Sequence, residues 1–333
     1  MSAAHLPVML TECLDGLNVR PGRWYVDGTF GAGGHTRALL AAGANVLAID
    51  QDPNITPHLT TLRKDFSEAV THPIQSVAVP QAPHAVSTPF LQDDASHSIP
   101  RPGRFLSVQG NFRSLDSYAA ERHLLPVAGV LLDLGLSSMQ IDQAERGFAF
   151  RQAGPLDMRM SSEGPSAADL VNTLETDDLA ALLYKYGEER YSRRLARAIV
   201  AARPITTTER LVSVIQSAYP GGKRRDHPAR RSFQALRIAV NDELGALEDG
   251  LKAAEAALDE GGRLVVLSYH SLEDRTVKQF VRSSPKLQPL TKRPLTATPE
   301  EVERNPRARS AKLRIAEKRT PERSAENRVE AQP

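Results

Sequence analysis

Val26-Asp27-Gly28-Thr29-Phe30-Gly31-Ala32-Gly33-Gly34-His35 joins a short apolar run, Trp24 to Val26, to the helical pattern Thr36-Arg37-Ala38-Leu39-Leu40. Strand, glycine loop, helix is the order of a nucleoside-cofactor loop. Glycines let the backbone turn through positive φ and approach a ligand with no Cβ in the way, and the free N–H groups of a helix start face polar or anionic atoms. A plain strand-to-helix turn has the same outline, so the loop alone does not decide the chemistry. Downstream, Val46-Leu47-Ala48-Ile49 predicts a second buried parallel strand ending at Asp50, whose carboxylate can accept hydrogen bonds from both hydroxyls of a ribose. The spacing Gly31-x-Gly33-Gly34 departs from the G-x-G-x-x-G fingerprint, since Thr36 stands where its third glycine would be. That counts against NAD.

The alternation continues outward from this loop. Ile55, Leu59, Leu62, Phe66 and Val70 recur at helical spacing, Phe105 to Val108 predicts a third strand, and the apolar run Val127 to Leu132 predicts a fourth, ending at Asp133. Strands separated by helices imply a parallel sheet, and in an open α/β sheet the ligand lies beyond the carboxyl ends of the strands. Gly33, Asp50, Phe112 and Asp133 should therefore converge on one crevice. Phe112 either covers an adenine ring or belongs to the core. From about His72 to Gly103 the pattern dissolves into prolines and scattered polar residues, which reads as a surface insertion. Its His72, His84 and His97 lack the spacing and partner cysteines of a metal site, and no metal is expected.

From 151 to 242 strand patterns vanish and helical ones remain, such as Ala168 to Leu174, Asp177 to Tyr184 and Arg193 to Val200. This predicts a helical domain inserted between a first part, 1–150, and a second part, 243–319, of an α/β domain. With 333 residues, two domains are expected, because single cores stop growing near roughly 250 to 300 residues. The net charge of +2 is unremarkable, but its distribution is uneven. Arg190, Arg193, Arg194 and Arg197 form one basic run, and Lys223, Arg224, Arg225, Arg230 and Arg231, with His227 nearby, form another. Each is either a solvated face or a set of phosphate contacts on a nucleic acid.

Leu244 to Leu258 predicts an amphipathic helix, and Leu264 to Ser268 a strong strand. The polar cluster Tyr269-His270-Ser271-Leu272-Glu273-Asp274-Arg275 follows at another carboxyl strand end. Ser271 with Asp274 would cap a helix there, and His270 is a candidate for substrate contact. Leu287 to Leu290 and Lys312 to Ala316 predict a closing strand pair, His5 to Leu17 a short docking helix, and 320–333 a disordered tail. The single cysteine, Cys13, excludes an intramolecular disulfide. With no signal-peptide pattern and no apolar run near the roughly 18 residues of a membrane span, a cytoplasmic protein is expected.

An acidic residue before the glycines, Asp27, resembles the class I methyltransferases that bind S-adenosylmethionine. The likeness extends over nearly the whole chain. His5 to Leu10, Asp27 to His35, Leu131 to Asp142, Glu145 to Phe148, Gly154 to Met160, His227 to Ala229, Phe233 to Asn241, Ser268 to Arg275, and Asn305 to Arg307 with Ser310 to Ile315 resemble, in order, the bacterial 16S ribosomal RNA cytosine-N4 methyltransferases, the RsmH or MraW family. The resemblance implies a Rossmann-like, mainly parallel α/β fold with an inserted all-helical domain that binds substrate. It implies S-adenosylmethionine as cofactor, contacted by Gly33, Gly34, His35, Asp50, Phe112, Asp133 and Gln140. It also implies 16S rRNA of the small subunit as partner.

His35 and Gln140 come from the resemblance alone. The stretch about His72 to Gly103 departs from it. Many amino-methyltransferases carry an acidic or amide residue followed by two prolines after the fourth strand, whereas this chain reads Asp133-Leu134-Gly135-Leu136. Asp133 is thus a candidate catalytic acceptor, with the cofactor role favoured. Arg224, Arg225, Arg230, Arg231 and His270 are the candidate substrate contacts. A methyltransferase for another RNA or a small molecule, and a silent RNA-binding relative, are the competing readings.

Overall fold

The computed structural model describes residues 6–68, 103–161, 163–220 and 227–320. The expected insertion, except Gly103, the expected tail beyond Thr320, and Lys223, Arg224 and Arg225 lie outside the described residues.

After α1 (Leu10–Leu17) come β1 (Trp24–Asp27), α2 (Gly34–Ala41), β2 (Asn45–Asp50), α3 (Thr56–Glu68), β3 (Phe105–Gln109), α4 (Leu115–Glu121) and β4 (Val127–Asp133). A short α5 (Ser138–Asp142) leads to α6 (Ala167–Thr173), α7 (Thr176–Gly187), α8 (Ser192–Ala201), α9 (Thr208–Ala218) and α10 (Arg230–Asn241). The chain then forms α11 (Glu243–Ala257), β5 (Leu258–Ser268), α12 (Ser271–Ser283), β6 (Leu287–Pro289), α13 (Pro299–Arg304) and β7 (Lys312–Lys318).

The strands make one sheet in the order β3-β2-β1-β4-β5-β7-β6. The first five run parallel, and β7 runs antiparallel to both its neighbours, β5 and β6. The expected closing pair is therefore present. The order reverses between β1 and β4, the topological switch point at which such sheets open a crevice.

Both faces of the sheet are covered, so its central strands are continuously apolar through their middles, Val46 to Ile49 on β2 and Val127 to Leu132 on β4, instead of alternating. On β4, Val130 and Leu132 pack into a cluster with α4, α11 and α12, while Ala128 and Leu131 pack into another with α1, α2 and α3. Leu131 and Leu132 are both fully buried, and truncating either to Ala would cost about 2–5 kcal/mol.

Between 151 and 242 the described residues form helices and one isolated bridge, Pro155 to Thr207. Helices α6 to α10 close around a third cluster that includes Leu179, Leu183, Leu195, Ile199, Leu211 and Phe233. On α8 the helical period sends Leu195, Ala196 and Ile199 inward and leaves Arg193, Arg194 and Arg197 exposed. That basic run is a solvent-facing stripe on a packed helix.

Candidate functional site

A cavity of about 470 Å³ opens at the switch point, within the usual size of ligand pockets. Its floor is the glycine loop. Asp27 is buried, its Oδ1 accepting from the Thr29 amide at 3.1 Å and its Oδ2 from the Thr36 hydroxyl at 2.6 Å, so it braces the loop from beneath. Burial pushes its carboxyl above the ordinary value, against those two donors. At Gly28 an added Cβ would meet Leu132 Cδ2 at 2.6 Å and Phe112 Cβ at 3.1 Å, which keeps the backbone tight against β4. Gly33 holds φ at 79°, and an added Cβ would meet the Phe30 ring at 2.8 Å. Gly33 does not line the cavity; it shapes the turn that lets Gly31, Ala32, Gly34 and His35 do so.

Asp50 and Phe112 do line it. Asp50 Oδ2 accepts from the Gly31 amide at 2.7 Å and Oδ1 from the Asp52 amide at 2.9 Å. A carboxylate oxygen takes more than one donor, so the side chain is aimed while it keeps capacity for hydroxyls. Burial pushes this carboxyl up to about 6. The Phe112 ring packs where Gly250 of α11 leaves room for it, 2.5 Å from an added Cβ, and reaches the core as well as the cavity. Phe112 is thus both a core residue and part of the cavity wall.

Asp133, at the carboxyl end of β4, stands between two groups the chain brings from far away. Its Oδ1 accepts from the Tyr269 hydroxyl at 2.7 Å, and its Oδ2 lies 3.7 Å from His35 Nδ1. His35 Nε2 is 3.1 Å from the Val8 carbonyl, which can only accept, so Nε2 carries a proton and Nδ1 faces the carboxylate. Burial raises the Asp133 carboxyl above its ordinary value, while His35 and the Tyr269 hydroxyl pull it back. The same carboxylate and burial push the Tyr269 hydroxyl well up.

Gln140 lines the cavity, but much of its amide is occupied. Its Oε1 accepts from the Ser137 amide at 3.0 Å, and its Nε2 donates to buried Asp52 at 2.8 Å. Asp52 also accepts from Arg146 at 3.0 Å, and Arg146 donates to the carbonyls of Arg159 and Met160. Asn241 of α10 completes the link, taking the Met160 amide at 2.7 Å and giving to the Met158 carbonyl at 2.8 Å. The floor beside Asp50 and the helical region are thus tied by one polar network.

The far wall is α10, whose Arg230, Gln234, Arg237 and Asn241 all line the cavity. Their spacing, one face of a helix, was present in the sequence as a polar period. Arg237 grips Glu243 through two hydrogen bonds of 2.7 and 2.8 Å. His270, not Ser271, caps α12, and its partner is Glu273, not Asp274: the Glu273 amide donates to His270 Nδ1 at 3.4 Å, and Glu273 Oε2 accepts from the His270 amide at 3.2 Å. A β-region φ of −138° at His270 suits the capping position, whereas Ser271 is already helical. Glu273 is held below its ordinary range although burial opposes this, because His270 and Arg237 stand beside it.

The second basic run divides. Arg230 lines the cavity, whereas Arg231 donates to the Glu188 carbonyl at 2.8 Å. The Glu188 carboxylate in turn takes the Ser271 hydroxyl at 2.6 Å and Arg275 at 3.0 Å, joining the helical region to α12. The sequence reading missed Thr29, Val8, Tyr269, Arg237 and Glu243, whose roles depend on partners far along the chain.

The sequence matches the profile of the MraW methylase family over residues 2–79 and 92–319. It is 49% identical over 321 residues to a Deinococcus deserti protein named ribosomal RNA small subunit methyltransferase H, covering 95% of this chain and 94% of that one. Proteins of the same name show 49% identity over 318 residues in Deinococcus radiodurans, with 95% and 90% covered, and 45% over 335 residues in Gluconobacter oxydans, with 94% and 92% covered.

Proposed function

Because the chain belongs to the MraW methylase family, we propose that it transfers a methyl group from S-adenosylmethionine to the exocyclic N4 amine of a cytosine in 16S ribosomal RNA of the small subunit. The observation that carries this reading is Asp133: a carboxylate at the end of β4, oriented by the Tyr269 hydroxyl with His35 3.7 Å away, in the same cavity as Asp50.

The residues present fit the cofactor. Asp50 would take the ribose hydroxyls, Phe112 the adenine face, and the loop Gly31 to His35 the remaining polar atoms. Bound there, the cofactor supplies an electrophilic methyl on a sulfonium. The chain's task is then alignment and exclusion of water. Cytosine's amine is a weak nucleophile because its lone pair is delocalised into the ring. An acceptor on one of its N–H groups favours the more tetrahedral nitrogen of the transition state, and Asp133 would provide it. The nitrogen must shed a proton as it bonds to the methyl carbon. A carboxyl whose proton affinity burial has raised is suited to receive it, with the Tyr269 hydroxyl holding its geometry.

The helical region 151–242 is proposed as the substrate-binding domain, with Arg224, Arg225, Arg230 and Arg231 toward RNA phosphates. Nucleoside mass spectrometry of small subunits treated with the enzyme tests the whole reading. N4-methylcytidine is expected; methyl only on cytosine carbon 5 or a ribose oxygen would overturn it.

A further inference from the structure

Residues 6–9 form a strap across one end of the glycine loop. Leu6, Pro7 and Val8 all line the cavity. Pro7 rests on Gly34, where an added Cβ would stand 3.1 Å from it, and the Val8 carbonyl meets His35 Nε2 at 3.1 Å. Two residues 292 and 299 positions away tie the strap down. Glu301 of α13 accepts from the Met9 amide at 2.6 Å, and Asn305, buried just past the end of α13, donates through Nδ2 to the Leu6 carbonyl at 3.1 Å. Neither Glu301 nor Asn305 lines the cavity.

The ties hold a conformation that the strap does not favour by itself. Met9 has a φ of 49°, a left-handed backbone that a side-chain-bearing residue keeps only where its surroundings impose it. The Val8 and Met9 side chains are buried in one cluster with Ala308 and Ala311, so the carboxyl-terminal segment sets where the strap lies. Leu6, by contrast, leaves an apolar side chain 58% exposed in the cavity wall, surface that a ligand would cover. The place of the strap selects which part of a ligand that is. Asp50, the residue for the ribose, accepts from Gly31, whereas the strap rests on Gly34 and His35 at the other end of the loop. Beyond its ribose, S-adenosylmethionine continues as a short aliphatic chain, whose methylenes suit Leu6.

We propose that Leu6 to Val8 cover the amino-acid end of the cofactor, and that Glu301 and Asn305 are positioning residues that hold the strap there. The inference rests on the cofactor placement proposed above and is independent of which base is methylated.

Calorimetry on the full chain with S-adenosylhomocysteine and with 5′-methylthioadenosine, which keeps the nucleoside and the sulfur but lacks the amino-acid chain, separates the two ends of the ligand. Asn305→Asp keeps the side-chain shape but sets an acceptor against the Leu6 carbonyl, and Glu301→Ala frees the Met9 amide. Each should weaken S-adenosylhomocysteine binding about five- to thirtyfold and methylthioadenosine binding by less than about twofold. Glu301→Gln keeps an acceptor for the Met9 amide and should bind both ligands as the wild type does. Leu6→Ala removes an exposed side chain, so the fold is not at stake, and should weaken S-adenosylhomocysteine alone, about three- to tenfold. Asp50→Asn should weaken both ligands alike. Equal losses for the two ligands in the strap variants, undiminished S-adenosylhomocysteine affinity in Leu6→Ala, or a loss in Glu301→Gln as large as in Glu301→Ala would overturn the proposal. If Asp50→Asn spares both ligands, the placement of the ribose falls; if it weakens both while the strap variants spare S-adenosylhomocysteine, only the role of the strap falls.

Discussion

Asp50→Asn keeps the shape of the side chain but removes the charge, and it should abolish a pH dependence that cofactor affinity has in the native protein. Burial pushes the Asp50 carboxyl up to about 6, against the Asp52 and Gly31 amides that donate to it. Ribose hydroxyls would add further donors, so the cofactor binds the ionised form and lowers the carboxyl's proton affinity on binding. Affinity linked in this way is complete above the free-protein value and is lost as pH falls through it. With that value near 6, ~90% of the free protein is ionised at pH 7 and ~10% at pH 5, so the Kd for S-adenosylhomocysteine should rise roughly tenfold between them. Isothermal titration at pH 5, 6 and 7 in buffers of different ionisation enthalpy measures both the affinity and the protons released. Asp50→Asn should bind about ten- to a hundredfold more weakly at pH 7, since hydrogen bonds to a charged acceptor contribute about 1.5–3 kcal/mol each. Its affinity should lose the component that titrates near pH 6. The same slope in native protein and variant would show that another group titrates and that Asp50 does not hold the ribose.

Asp133→Asn should lower kcat about a hundredfold or more with little change in S-adenosylhomocysteine affinity, the mark of an interaction made in the transition state; single-turnover kinetics beside calorimetry separate the two, and unchanged kcat would remove Asp133 from catalysis. Charge reversal of Arg224, Arg225, Arg230 and Arg231 together should weaken RNA binding and flatten its salt dependence by roughly 0.7 unit for each phosphate no longer neutralised, leaving cofactor affinity intact; an unaltered slope would make this run solvated surface. Gly187 ends α7 where an added Cβ would stand 2.6 Å from the Arg231 carbonyl of α10. Gly187→Ala should therefore cost about 1–3 kcal/mol in chemical denaturation, and no change would mean the two helices are not so closely packed.

The order of strands and helices was legible because a sheet covered on both faces needs continuous apolar runs. Asn45–Asp50 and Val127–Asp133 show those runs without any knowledge of their neighbours. Asp50 and Asp133 were legible for the same reason, as the first polar residues at strand ends where a parallel sheet places its ligand. Gly33 was read as a cofactor contact; the structure leaves it out of the cavity lining and shows that its lack of a Cβ serves the Phe30 ring and the turn. His270 was read as a substrate contact and Ser271 as the cap; the backbone angles assigned the cap to His270 and thereby fixed which of its nitrogens can donate. Periodicity and strand ends are local properties, carried by residues a few positions apart. The contact between Tyr269 and Asp133 spans 136 positions, and that between Gln140 and Asp52 spans 88. The partners that hold Asp133, the Val8 carbonyl that sets the His35 proton, and the face α10 turns into the cavity were decided by tertiary structure, because crossover connections and the packing of the helical region set those distances and no local pattern encodes them.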